Sequence, residues 1–173
     1  MRWLLALCCL PLLTAADPDA WAADLAPRGE AWRAVPQILT ANNESEPQTL
    51  DPQRMTGNVE ARVALALFEG LTTLDPRDLA PRPGLAESWR EDADGLGWTF
   101  TLRPGLAWSD GSPIDAAQVR ASWLRLLDPR TEAAYAELLD PVVGAEDIRR
   151  GRAAELGVAA ADARTLHVRL TRP

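Results

Sequence analysis

The stretch WTFTLRPG, residues 98–105, decides how the surrounding chain is interpreted. Apolar and polar side chains alternate along it, so that Trp98, Phe100 and Leu102 share one face of an extended strand. The Pro-Gly pair at residues 104–105 then turns the chain. The pattern predicts a strand with one face in a hydrophobic core and the other face in water.

The residues after this turn predict a second strand. LAWS, residues 106–109, is followed by an Asp-Gly pair, which is typical of a tight turn. We therefore expect residues 98–103 and 106–109 to form a hairpin. Trp108 and Trp98 are predicted to lie together in the core.

The clearest helix signal follows this hairpin. Asp115 is a suitable N-cap for a helix over residues 116–127. The helix ends at the Asp-Pro pair of residues 128–129, because the residue before proline disfavours the helical conformation. We expect it to cover the apolar face of the hairpin. Its inward stripe is predicted to consist of Val119, Ser122, Trp123 and Leu126.

Shorter signals fill the rest of the chain and make the fold class a mixed α/β one. One signal predicts a helix from an Asn58 cap to about Phe68, with an inner face made of Val59, Val63, Ala66 and Leu67. Strands are predicted at 37–41, 71–74, 157–160 and 166–170, and an extended segment at 79–84. Short helices are predicted at 132–139 and 145–150.

The first 22 residues have the features of a secretory signal. An apolar run at residues 4–13 is too short to cross a bilayer, and small residues follow it. Ala-Trp-Ala at 20–22 is the preferred cleavage site, with residues 14–16 as a second option. Both cysteines lie inside the run, and Leu7 before Cys8 argues against a lipid anchor. The mature chain is expected to have no disulfide, to be periplasmic and not to insert into the membrane.

The composition excludes several classes of function. The chain has 25% charged residues and a net charge of −7, so a nucleic-acid partner is not expected. The only histidine, His167, stands on the polar side of a predicted strand without a second ligand for a metal. Asp92, Asp94 and Asp110 fall in turns, where aspartate serves local hydrogen bonds. We predict an exported, non-catalytic α/β domain with no cofactor and no metal.

Seven short blocks stand in a fixed order along the chain: residues 43–52, 67–71, 85–89, 98–105, 108–113, 122–129 and 156–158. Together they resemble the family 5 solute-binding proteins, the peptide-binding components of bacterial ABC importers. The resemblance implies the two-lobed type II periplasmic-binding-protein fold. It divides this chain into a signal peptide at 1–22, the start of the large ligand-binding lobe at 23–68, and a peripheral α/β subdomain at 69–173.

The resemblance also implies site residues and partners. Thr56, Gly57 and Asn58 match a segment that pairs with the backbone of a bound peptide, which is recognition by strand addition. Tyr135 matches an aromatic residue facing the ligand cleft. The alternatives are a helix-entry loop for residues 56–58 and ordinary packing for Tyr135. Peptides and the permease subunits of an importer are the implied partners.

Family members are several times as long, so we expect this chain to be an N-terminal fragment with its second lobe missing. Two other functions remain open. One is a module of the same ancestry that senses cell-wall peptides or binds unfolded chains. The other is an exported hydrolase that uses the carboxylates.

Overall fold

The computed structural model describes Thr40 and residues 42–172. The chain divides into two units, Met1–Asn42 and Asn43–Pro173. The predicted signal peptide at 1–22 lies outside the described residues, and so does the predicted strand at 37–41 apart from Thr40. All described helices and strands belong to the second unit.

This unit is a mixed α/β structure, as predicted. Its elements in chain order are α1 (Asn58–Leu67), β1 (Thr72–Leu74), β2 (Pro81–Pro83), β3 (Ala86–Glu91), β4 (Gly97–Leu102), α2 (Ala116–Leu127), two 3₁₀ turns (Pro129–Thr131 and Ala136–Leu139), α3 (Ala145–Arg149), β5 (Val158–Ala160) and β6 (Thr165–Arg169). Within the described part of the chain, no helix is long and apolar enough to cross a membrane.

Strand β4, the predicted WTFTLR strand, lies inside a four-stranded antiparallel sheet of order β3-β4-β6-β5. Trp98 pairs with Val168 of β6, and Phe100 pairs with Trp89 of β3. The apolar residues of three strands therefore share one face of the sheet. The other face is polar, and His167 is exposed on it with its Nδ1 2.9 Å from the Thr99 hydroxyl.

The predicted hairpin between residues 98–103 and 106–109 is wrong. Both edges of β4 are already paired, one with β3 through the turn after Asp92 and the other with β6. The chain after Gly105 forms only an isolated bridge between Ala107 and Pro113. Trp108 is 46% exposed, and its indole N–H donates to Gln118 at 2.9 Å.

Strand β3 was not predicted because a bulge hides its alternation. The register shifts between Ala86 and Ser88, so the inward residues Ala86 and Trp89 are three positions apart instead of two. One extra residue in a strand moves every later side chain to the opposite face. The period-2 signal is therefore lost although the strand pairs fully with β4.

Helix α2 has the predicted bounds and the predicted cap. The Asp115 carboxylate accepts from the Gln118 N–H at 2.8 Å. Ala116 and Leu127 are fully buried, and Trp123 packs against the core, but Ser122 is exposed, contrary to its predicted place in the inward stripe. Among the described residues, the largest fully buried side chains are those of Leu102, Leu127 and Leu166.

Two further predictions are corrected. Helix α1 begins after Gly57, so Asn58 is its first residue and not its cap, and Leu67 is 62% exposed instead of inward. Ala66 of the same predicted face is exposed as well. The predicted helix at 132–139 is reduced to the 3₁₀ turn Ala136–Leu139, because Glu132 adopts a left-handed conformation (φ 53°) that a helix cannot continue.

The core assignment predicts the effect of two leucine substitutions. Leu102→Ala should lower the free energy of unfolding by about 2–5 kcal/mol, because it leaves a cavity beneath α2. Leu65→Ala is the matched control, since Leu65 is 83% exposed on α1, and it should change the same quantity by less than about 0.5 kcal/mol. Urea unfolding followed by tryptophan fluorescence measures both. Equal losses in the two variants would contradict the proposed core.

Candidate functional site

The structure brings together the two segments that the sequence analysis singled out. The hydroxyl of Tyr135 donates to the carbonyl oxygen of Thr56 at 3.2 Å, across 79 residues of sequence. Tyr135 is 49% exposed. Gly57 and Asn58 follow Thr56 directly and are exposed as well. All four predicted site residues therefore lie at one place on the surface.

An ion pair lies beside this hydrogen bond. Arg54 Nη2 is 3.1 Å from Glu132 Oε2, and both side chains are largely exposed. The left-handed conformation of Glu132 reverses the chain after the 3₁₀ turn Pro129–Thr131. Only three residues of sequence separate Glu132, which pairs with Arg54, from Tyr135, which bonds to Thr56. Two contacts thus connect the loop before α1 to the loop after α2.

Glu60 shapes the segment Thr56-Gly57-Asn58. It is buried, with 7% of its surface exposed, and its Oε1 accepts from the Gln48 N–H at 2.9 Å. Its carboxylate also accepts from the Gly57 N–H, and these backbone donors, the one of Gln48 first, lower the pKa of the carboxyl. A Cβ on Gly57 would stand 2.5 Å from Glu60 Oε2. A side chain at position 57 would therefore force the Glu60 carboxylate to shift from its place beside the backbone.

Sequence reasoning missed Glu60, although a signal was present. A glutamate three residues after a helix N-cap is the second half of a capping box, in which the side chain reaches back to the N-cap N–H. With the cap placed at Asn58 instead of Gly57, this spacing was not recognised. The cap position decides whether the pattern is visible.

A polar network fixes the turn before the site to the exposed side of α2. Arg125 pairs with Asp51 (Nη2–Oδ2 2.5 Å), and its Nη1 also donates to Gln53 Oε1 at 2.5 Å. Gln53 Nε2 in turn donates to the Ser122 carbonyl at 2.8 Å. Met55, two residues later, is buried. The turn is therefore held from both sides, by polar contacts outside and by an apolar anchor inside.

The aspartates considered for catalysis take part in local turns and ion pairs. Asp110 Oδ1 accepts from both the N–H and the hydroxyl of Ser112, at 2.9 and 2.6 Å, and these bonds lower its pKa. The Asp92 carbonyl closes the turn to Gly95, and Asp94 pairs with Arg169 at 2.7 Å. Among the residues that the structure describes, no group of three or more His, Cys, Asp and Glu could hold a metal ion.

A second concave surface lies on the inner face of the sheet. This aromatic groove has a volume of about 340 Å³, and its walls include Trp89, Trp98, Phe100 and Trp123. The rings of Trp98 and Phe100 are stacked, with centroids 6.5 Å apart. None of its lining residues belongs to the Thr56–Tyr135 site.

Comparisons with known proteins give consistent results. The chain is 42% identical to the periplasmic oligopeptide-binding protein OppA of Escherichia coli K12 over 144 residues, which are 81% of this chain and 26% of that protein. It is 36% identical over its whole length to the periplasmic murein peptide-binding protein MppA of the same organism, covering 32% of it. The chain thus spans between about a quarter and a third of the length of these relatives.

Solved structures agree with the sequence relatives. The structure of Haemophilus influenzae OppA in complex with RPPGFSPFR superposes with a TM-score of 0.72 at 44% identity, covering 76% of this chain and 26% of that one. Residues 80–173 match the family model described as "Bacterial extracellular solute-binding proteins, family 5 Middle". Because this match covers more than half of the chain, the chain belongs to the family 5 bacterial extracellular solute-binding proteins.

Proposed function

We propose that this chain contributes to peptide capture in the solute-binding component of a bacterial ABC peptide importer. The observation that carries the proposal is the hydrogen bond between Tyr135 and the Thr56 carbonyl. It places an exposed aromatic ring beside the exposed backbone of residues 56–58. The relatives named as oligopeptide-binding and murein peptide-binding proteins support the ligand class.

The backbone conformation of the segment suits this role. Gly57 is extended, with φ −116° and ψ 164°, immediately before α1 begins. Through the backbone groups that Glu60, Ala61 and Tyr135 leave open, this exposed segment can exchange hydrogen bonds with a peptide laid alongside it, which gives affinity for many side-chain sequences. A tyrosine adds an apolar ring and a polar hydroxyl to such a surface. Together they form one wall of a site for an extended peptide.

The segment is held in place before any ligand arrives. Glu60, the Arg54–Glu132 pair and the Tyr135 hydrogen bond fix it from three directions. A preorganised segment loses less conformational entropy on binding than a flexible loop does. The carboxylate of Glu60 therefore serves binding although it faces the protein.

Several features of the proposed whole protein follow from its family. We propose export by a signal at residues 1–22, a ligand-binding lobe beginning at residues 23–68, a peripheral subdomain at 69–173, and delivery of peptide to a permease in the membrane. Capture takes place in the periplasm. The chain acts by binding and not by catalysis, in keeping with relatives that are named as binding proteins.

A hybrid protein tests the ligand class. Residues 43–172 of this chain replace the matched quarter of Haemophilus influenzae OppA, and the hybrid is titrated with RPPGFSPFR, the peptide of that complex. We expect binding, and we expect Tyr135→Ala to raise Kd roughly tenfold, since it removes an aromatic contact worth about 1–2 kcal/mol.

The matched control in this titration is Leu138→Ala, because Leu138 is 73% exposed three residues further along. It should leave Kd within about twofold. Equal effects of the two substitutions would contradict a role for Tyr135. Deoxycholate is the comparison ligand, since a relative 39% identical over the whole chain is named a probable deoxycholate-binding protein. Binding of deoxycholate without peptide would overturn the proposed ligand class.

The 173-residue chain without the rest of such a protein should not bind peptide measurably. Ligand sites enclose most of a ligand's surface, and one wall leaves the other side of the peptide in water. Calorimetry with a mixture of tri- to pentapeptides should give no saturating heat. A Kd below about 10 µM would show that Thr56, Gly57, Asn58 and Tyr135 form a sufficient site by themselves.

Lowering the pH should weaken the hold of Glu60 on the segment Thr56-Gly57-Asn58. Its pKa is lowered in the folded chain, so its stabilising contribution is complete above the ordinary carboxyl pKa of about 4.3 and is lost as the pH falls through the lower folded-state value. We expect the hydrogen-exchange protection of the Gln48 N–H to fall in that range. Glu60→Gln should remove this pH dependence.

Asp110→Asn is the control for the acid experiment, because Asp110 also has a lowered pKa but serves the turn at Ser112. It should leave the protection of Gln48 and its pH dependence unchanged. If the Glu60→Gln protein still loses Gln48 protection over the same pH range as the parent chain, Glu60 does not hold the segment.

A further inference from the structure

The side chain of Arg125, on the exposed side of α2, holds the turn that leads into the candidate site. Its two terminal nitrogens contact the two oxygens of the Asp51 carboxylate, at 3.1 and 2.5 Å. The same guanidinium also donates from Nη1 to Gln53 Oε1, at 2.5 Å. Asp51 itself closes the turn, since its carboxylate accepts from the Gln53 N–H and its carbonyl from the Arg54 N–H. Arg125 therefore fixes the turn at residues 51–54, which ends two residues before Thr56.

The backbone of the same residue holds the other half of the site. The hydroxyl of Thr131 donates to the Arg125 carbonyl at 2.6 Å. Thr131 is buried, with 9% of its surface exposed, and it directly precedes Glu132. The path to Tyr135 therefore starts from a point that Arg125 fixes.

We infer that Arg125 is the positioning residue of the candidate peptide-binding site, because its side chain sets the Thr56 segment against the Tyr135 loop, which is tied to the helix backbone at the same residue. The two halves then meet in the hydrogen bond between Tyr135 and Thr56. Arg125 acts through Asp51 and Thr131. The ligand in this inference rests on the proposed function, whereas the placement of the two halves does not.

Arginine is required for this role because of its shape. A planar guanidinium contacts both oxygens of a carboxylate at once and keeps a further N–H for the Gln53 oxygen, whereas a lysine ammonium offers a single point charge. The Arg125 hydrogen bond is the largest cause of the lowered pKa of Asp51. The pair is largely exposed at Arg125, and exposed pairs contribute little to global stability. Its loss should therefore displace the site without unfolding the chain.

The chain supplies a matched control at Arg130. Its guanidinium makes an equally close pair with Asp128, at 2.6 Å, and its side chain is 90% exposed. That pair lies within the 3₁₀ turn that begins at Pro129 and spans only two residues of sequence. Arg130→Gln therefore removes the same kind of ion pair without releasing the turn at Asp51.

The single tyrosine of the chain makes the test specific. Full-length chain grown with 3-fluorotyrosine carries one fluorine label, at Tyr135, and its ¹⁹F resonance reports the surroundings of the ring. We expect Arg125→Gln to shift and broaden this resonance towards that of unfolded chain, and Arg130→Gln to leave it in place. Arg125→Lys should shift and broaden the resonance less than Arg125→Gln does. Thr131→Val should move the resonance in the same direction through the second connection.

Hydrogen exchange gives a second reading on the same samples. In Arg125→Gln the Gln53 and Arg54 N–H groups should exchange at least about tenfold faster, as expected when a charge-assisted contact is lost. The N–H groups of Leu102 and Leu166 should keep their protection, which shows that the core is folded. Should Arg125→Gln fail to fold, Asp51→Asn breaks the same pair from the other side and is expected to give the same local result.

The inference is overturned if the ¹⁹F resonance has the same chemical shift and line width in three variants: Arg125→Gln, Asp51→Asn and Arg130→Gln. Peptide titration of the hybrid protein separates this outcome from failure of the proposed function. If the parent hybrid binds RPPGFSPFR, Arg125→Gln should raise Kd about tenfold, and an unchanged Kd overturns the positioning role. If the parent hybrid does not bind, the proposed function fails, and the fluorine result still decides how the two halves are placed.

Discussion

The requirement that strand β4 bury one face and pair along both edges governs the rest of the structure. Its apolar face is buried in the core that it shares with α2, whose Leu127 has no exposed surface. Its two edges need partners, which come from β3 beside it in sequence and from β6, more than 60 residues later. The connection between β4 and β6 therefore contains α2, the loop with Tyr135 and α3. The site is built on the element that closes the core.

Helix α2 carries out two tasks with its two sides. The buried side completes the core, and the exposed side at Ser122 and Arg125 receives the loop that precedes α1. Individually these surface contacts are weak, since exposed ion pairs contribute roughly 0–1 kcal/mol. Several of them act on one short turn, with Met55 buried beneath it. The combination fixes a loop that no single contact could hold.

Membership of the solute-binding family and the geometry of the site support the same function from different directions. The family relation concerns the fold and a quarter to a third of the length of the relatives. The site geometry concerns four exposed residues that we propose as one wall for an extended peptide. A wall of this kind acts only when it faces another, because affinity for a peptide requires enclosure. The exposed, extended backbone at Gly57 is therefore the feature through which this chain would take part in the whole protein's activity.

The amino-acid sequence by itself determined the local elements whose signals lie within a few residues. The alternation at 98–102, the Asp115 cap and the Asp-Pro stop at 128–129 place β4 and α2 correctly, because propensity and capping are decided by near neighbours. The family resemblance predicted Thr56, Gly57, Asn58 and Tyr135 as site residues, and their role stays a prediction. Only the tertiary structure decided that β4 pairs with β3 and β6, that Trp108 is exposed, and that Glu60 and Arg125 shape the site. A bulge hid β3. The capping-box spacing of Glu60 to Gly57 is local, but the Gln48 partner of Glu60 and the Asp51 partner of Arg125 lie 12 and 74 residues away, so the local pattern could not reveal those two contacts.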